Sequence, residues 1–148
     1  MQDALGAECI LGSFGAITAL PGAEDQHVHR DHPFLFQDET IDTAMPAYAI
    51  NVIIPLVGMD AGHGTTRVWP GSHRVWSEDK AKQLPSEDPV APVGSCIIID
   101  YRLLHAGTGN RSHQVRPILY VAFHRPWFKD YYREWFTGLI TERRFTRP

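Results

Sequence analysis

A mainly β fold is the expectation for this chain: a double-sheet jelly roll or a barrel-like relative of it, with few flanking helices. Three observations lead there. Short runs of β-branched and aromatic residues recur along the sequence, Pro and Gly turn signals separate them, and one internal segment carries helix signals. The 148 residues suffice for one hydrophobic core and are too few for two ordinary domains, so residues 1–148 read as a single domain.

In order, residues 9–20 are small and apolar and predict an opening strand interrupted by Gly12 and Gly15. Pro21-Gly22 breaks it, and residues 26–31 begin a second strand ended by His32-Pro33. Residues 47–57 are almost continuously apolar, as in a strand covered on both faces. A loop over 58–64, a short strand over 65–69 and a turn at Pro70-Gly71-Ser72 follow. Residues 77–84 predict the internal helix, with Ser77 as its cap, acids in its first turn and lysines later. A Pro-rich return over 85–92 leads to a buried strand over 95–101, which includes Cys96 as a small buried hydrophobe. Residues 113–123 form the last strand, with Arg116, Ile118, Tyr120 and Ala122 on one face. Aromatics at mixed spacing over 127–136 suggest a helical tail.

Composition narrows the function classes. A net charge of −3 and no long basic block argue against a nucleic-acid partner. No apolar run approaches the roughly 20 residues of a membrane helix, and no basic stretch with an apolar core opens the chain. Two cysteines make neither a zinc site nor a disulfide framework. A cytoplasmic, soluble protein is the resulting expectation.

The chemistry-bearing residues are His29, Asp31, His105 and Arg116. His29 and Asp31 sit two apart, so on an extended strand both side chains project from one face. His105 would complete a two-histidine, one-carboxylate facial set, which leaves three adjacent positions of an octahedral ferrous ion open. Arg116, one strand and turn after His105, offers a permanent charge and a two-pronged fork for a carboxylate.

Gln26-x-x-His29-Arg30-Asp31, the stretch Gly64-Thr65-Thr66-Arg67-Val68-Trp69-Pro70-Gly71-Ser72-His73, and Asp100 to His105 with Arg116 together resemble the phytanoyl-CoA dioxygenase-like family, over residues 11–123. The glutamine three before His29 is similar to that of fungal and bacterial natural-product members. The resemblance implies a double-stranded β-helix, the cupin-like form of the jelly roll, and Fe(II)- and 2-oxoglutarate-dependent oxidation. It implies iron at His29, Asp31 and His105. It further implies Arg116 on the distal carboxylate of 2-oxoglutarate, with Gln26 and Thr66 as hydrogen-bonding residues. Two departures accompany it. Family members are usually longer, with elements ahead of the first ligands that are expected to be lacking here. Some relatives carry a serine where this chain has Gly107, with Thr108 as the candidate replacement.

The ligand chemistry fits independently of the family. Two neutral imidazoles and one carboxylate leave a ferrous ion a net formal charge of +1, which a 2-oxo acid can chelate and dioxygen can join. Each residue also has a plainer reading. His27 shares a face with His29 and offers an alternative HxH pair. His73 reads as turn structure, and Asp60, His63 and His32 as loop residues, with His32 and Phe34 close enough in sequence to touch a substrate. His124 and Trp127 divide between substrate wall and core; Tyr101 and Tyr120 read as core.

The leading expectation is an oxygenase that oxidises, by hydroxylation above all, an aliphatic C–H bond of a small molecule with dioxygen, converting 2-oxoglutarate to succinate. The alternatives are a cupin-like metalloprotein that does not use 2-oxoglutarate, or a truncated, non-catalytic remnant. If covering segments are missing, the opening strand exposes an edge, so either a homodimer or an open iron pocket is expected.

Overall fold

The structure, a computed structural model, describes residues 1–130. A short helix α1 (Gln2–Leu5) precedes strand β1 (Ile10–Ala19). Helix α2 (Glu39–Ala44) and strands β2 (Ala49–Pro55) and β3 (Thr66–Val68) follow. Helix α3 (Glu78–Lys82) leads to β4 (Ile97–Asp100), β5 (His105–Gly107) and β6 (Arg116–His124). No helix among the described residues is long and apolar enough to cross a membrane.

Four strands form one antiparallel sheet in the order β1-β6-β2-β4, and β3 pairs with β5 in a second. The second layer is wider than its regular strands. Residues 26–29 run beside β5, with Gln26 N–H donating to the Gly107 carbonyl at 2.8 Å and a bridge at His29–His105. On the other flank Glu87 bridges Val68 of β3. Two layers of four chain segments therefore face one another, and the mainly β jelly roll expected from the sequence is what forms.

β2 explains the core. Alternation sends Ile50 and Val52 to the outer face, where Leu5 of α1 covers them. Ile53 points inward, to a cluster with Ile99 of β4, Ile118 of β6, Met59 and Ala91. β6 alternates as its sequence predicts, with Arg116, Ile118 and Ala122 buried and Tyr120 half-buried.

Four details depart from the sequence expectations. Residues 26–31 are extended but carry a single bridge rather than a strand, because β5 opposite them has only three residues. β4 is the edge strand of its sheet, so Ile98 and Cys96 face solvent although their run is apolar. Helix α2 forms where no apolar period announces one; Asp38 caps it by accepting from Ile41 N–H at 3.0 Å. Residues 127–130 are not helical, and the rest of the aromatic tail lies outside the described residues.

β1 pairs along its length with β6, bulging between Leu11 and Ser13, and its other edge has no partner among the described residues. It exposes Leu11, Phe14 (64%) and Ile17, and no charge lies between residues 9 and 23 to guard it.

Candidate metal centre

The candidate ligand segments converge because the backbone laces them together. His29 and His105 exchange N–H···O bonds at 3.0 Å in both directions, and Asp31 N–H donates to the Tyr101 carbonyl at 2.9 Å. Between them, Arg30 Nε donates to the Arg102 carbonyl at 2.9 Å. His105 itself follows a stiff turn. Arg102, fully buried, forks onto Asp100 with bonds of 2.9 and 2.8 Å, and Leu104 N–H donates to Ser72 Oγ at 2.8 Å.

One ligand atom from each of His29, Asp31 and His105 lies within 4.8 Å of the others, close enough for a single ion to span. His105 Nε2 stands 3.9 Å from Asp31 Oδ1, and the two imidazole centroids are 4.4 Å apart. The tautomers follow from their partners. His29 Nδ1 contacts the His27 carbonyl at 2.8 Å, and His105 Nδ1 the Leu103 carbonyl at 3.0 Å. A carbonyl only accepts, so each Nδ1 carries the proton and each neutral ring offers the Nε2 lone pair to a metal. Both histidines thus use the carbonyl two residues earlier as an orienting anchor.

Asp31 is oriented by a residue the sequence reading missed. Asn51, on the inner face of β2, donates Nδ2–H to Asp31 Oδ2 at 3.1 Å. Its own Oδ1 is buried without a partner among the described residues. One polar side chain at the inward parity of an otherwise apolar strand was the available signal.

The cavity beside these candidate ligands sets hydrogen-bond donors among apolar walls. Arg116, 5% exposed, contributes its guanidinium; Nε has no partner among the described residues, and one terminal nitrogen makes a long 3.5 Å contact to the Thr108 carbonyl. Burial pushes this guanidinium below its ordinary pKa, with no carboxylate among the described residues raising it back. Gln26 and Thr66 line the same space. Gln26 Oε1 accepts from Gly107 N–H at 2.9 Å, which turns its amide N–H groups into the remaining donors. A Cβ on Gly107 would come 2.8 Å from that oxygen, so the glycine and the glutamine fit as a pair. An unpaired buried cation flanked by donors is a site for an anion.

Comparison with known proteins accords with this geometry. Residues 3–118 match the family model described as phytanoyl-CoA dioxygenase (PhyH). The chain belongs to that phytanoyl-CoA dioxygenase family. Its curated relatives include dioxygenase trt7 of Aspergillus terreus (strain NIH 2624 / FGSC A1156), 30% identical over 110 residues that cover 72% of this chain and 37% of the relative. The chain spans well under half the length of such relatives. Among solved structures, AviO1 from Streptomyces viridochromogenes Tue57 superposes with a TM-score of 0.70 at 19% identity, over 82% of this chain and 53% of that one. EctD from S. alaskensis, solved with 2-oxoglutarate and 5-hydroxyectoine, gives a TM-score of 0.66 at 20% identity, over 84% of this chain and 47% of that one. At these identities the structures speak for the fold.

The other residues singled out by sequence distribute around this family core. His27 is exposed and outside the ligand group, where its carbonyl, not its ring, serves His29. His32 packs edge-on against Tyr48 and Phe128, and Tyr101 joins the same cluster. His63 and Asp60 bond each other in the loop after β2, and His73 sits in a 3₁₀ turn. His124 and Trp127 pack around Phe128 and do not line the metal cavity. Tyr120 does line it, lying across Gly15. The Thr108 hydroxyl accepts from Thr65 N–H at 2.6 Å and lines a different surface from the metal cavity.

Proposed function

We propose that this chain carries the iron and co-substrate centre of an Fe(II)- and 2-oxoglutarate-dependent oxygenase that hydroxylates an aliphatic C–H bond of a small molecule. The observation that carries the reading is Arg116, a buried guanidinium with no anionic partner among the described residues, facing the same cavity as three convergent candidate ligands. A metal-only cupin has no use for that unpaired charge.

The residues take distinct roles. His29 and His105 give neutral Nε2 donors held by the carbonyls of His27 and Leu103, and Asp31 gives one carboxylate oxygen while Asn51 holds the other. Arg116 pairs with the distal carboxylate of the co-substrate, and Thr66 and Gln26 donate hydrogen bonds beside it. Ile17, Ile53 and Ile118 give the cavity apolar walls that limit water. Iron(II) with 2-oxoglutarate and dioxygen supplies the oxidant for an unactivated C–H bond, the co-substrate leaving as succinate and carbon dioxide. EctD, of the same fold, was solved with 2-oxoglutarate, which is the chemistry read here from Arg116.

Metal stoichiometry tests the ligand set. One Fe(II) per chain should bind under anaerobic conditions, and His29→Ala, Asp31→Ala and His105→Ala should each lose it while remaining folded by circular dichroism. Undiminished binding in His105→Ala would refute the assignment.

A further inference from the structure

The geometry points to a substrate site beside the metal cavity, a conclusion that rests on the oxygenase reading: the open groove formed by Val28, Arg30, Phe34, Gln37, Trp76 and Glu78 takes an uncharged small molecule with a broad apolar ring face.

His29 lines both the metal cavity and this groove, so a molecule lying in the groove abuts a proposed iron ligand. The two spaces differ in scale, about 80 Å³ for the cavity and about 520 Å³ for the groove. The groove falls in the range of roughly 300–1,000 Å³ usual for small-molecule sites. The small donor-lined space suits an anionic co-substrate; the larger one suits the molecule to be oxidised.

The lining defines the chemical class. Phe34 and Trp76 stack with centroids 4.8 Å apart and planes 18° from parallel, the Arg30 guanidinium lies 5.0 Å from the Phe34 ring centroid, and both half-buried rings line the groove. Charge on the groove is already matched. Arg30 donates to the carbonyls of Arg102, Ser72 and Val75 and faces Glu78 at 3.8 Å, while Glu78 also pairs with Lys82 at 2.5 Å. Unlike Arg116, each of these charged groups has a partner among the described residues.

The stacked pair is also rigid. Fully buried Asp42 accepts from the N–H groups of Leu35, Phe36 and Asp38, fixing the loop that bears Phe34. Gln37, at φ 55°, returns its side-chain amide to the Phe34 carbonyl at 2.7 Å. A wall set in advance lowers the ordering cost of binding.

The test titrates Mn(II)-loaded protein containing 2-oxoglutarate with progesterone, an uncharged tetracycle, and in parallel with dehydroepiandrosterone sulfate, an anionic one. The indole N–H signal of Trp76, assigned through Trp76→Phe, is followed in the diamagnetic zinc form. Progesterone should shift this signal and bind at least tenfold more tightly than the sulfate. Phe34→Ala should weaken it about tenfold, as loss of an aromatic contact at a packed site implies, and Phe34→Leu by less. Mn(II) should broaden the progesterone protons, and His105→Ala should abolish the broadening without abolishing the indole shift. An unmoved Trp76 signal, or equal affinity for the sulfate, overturns the proposal. A shift with no broadening, while water relaxation shows Mn(II) bound, overturns it and leaves the metal centre standing. Failure of the wild type to hold Mn(II) instead refutes the oxygenase reading, and with it the groove's role.

Discussion

Replacing Arg116 with methionine separates what this residue costs the fold from what it gives the site. The wild-type guanidinium is 5% exposed, has an unpartnered Nε and makes one contact at 3.5 Å. A buried cation without a counter-ion is the expensive case, and exchanging buried ionic groups for apolar ones of similar volume is often neutral or stabilising by about 1–4 kcal/mol. Methionine keeps the stem and loses the charge, so Arg116→Met without 2-oxoglutarate should be as stable as wild type or gain about 1–2 kcal/mol. For a domain of this size that is an increase in Tm of about 2–8 °C. Saturation reverses the order: at a hundred times Kd, 2-oxoglutarate should stabilise the wild type by about 2.7 kcal/mol and the variant by nothing. Urea unfolding of the Mn(II)-loaded protein, with and without 2-oxoglutarate, reads both quantities. Loss of more than about 2 kcal/mol in the variant without 2-oxoglutarate would identify Arg116 as a structural ion rather than a waiting binding group. Retained stabilisation by 2-oxoglutarate would refute the pairing directly.

Asn51→Ala should weaken Fe(II) binding about tenfold to a hundredfold in a chelator competition, because Asp31 loses its orienting donor; an unchanged affinity would make Asn51 a bystander. Asp42→Ala strands the N–H groups of Leu35, Phe36 and Asp38 and should cost about 2–4 kcal/mol in urea unfolding. Arg116→Lys keeps the charge and loses the fork, so its 2-oxoglutarate Kd should rise about tenfold with little change in stability. The uncharged edge of β1, with Phe14 64% exposed, is expected to pair with a second copy; light scattering should report a dimer that Phe14→Lys dissociates.

What the sequence could reveal depended on the length of the signal. β2 and β6 are long enough for alternation to declare which residues point inward, so Arg116 and Ile118 were assignable to one face in advance. His29 and Asp31 come to one side because an extended backbone, with or without a ladder, still puts alternate side chains there. β3 and β5 have three residues each, too few for any period, and their pairing comes from tertiary context. The apolar run at Cys96 to Ile99 could not distinguish a central strand from an edge, since composition reports hydrophobicity and not neighbours. Asn51 and Arg102 act across 20 and 60 residues of chain, on Asp31 and on the Asp42 carbonyl, through contacts that no local pattern encodes. The stacking of Phe34 on Trp76 is of the same kind.

The central claim, that one iron and one 2-oxoglutarate share the cavity of His29, Asp31, His105 and Arg116, is tested most directly by anaerobic titration. Fe(II) and then 2-oxoglutarate are added while the visible spectrum is recorded. Chelation of the ferrous ion by the 2-oxo acid should produce a metal-to-ligand charge-transfer band that saturates at one equivalent per chain. The band should be absent in His105→Ala and should require far more 2-oxoglutarate in Arg116→Met. A wild-type protein that binds Fe(II) and gives no band at saturating 2-oxoglutarate would contradict the account.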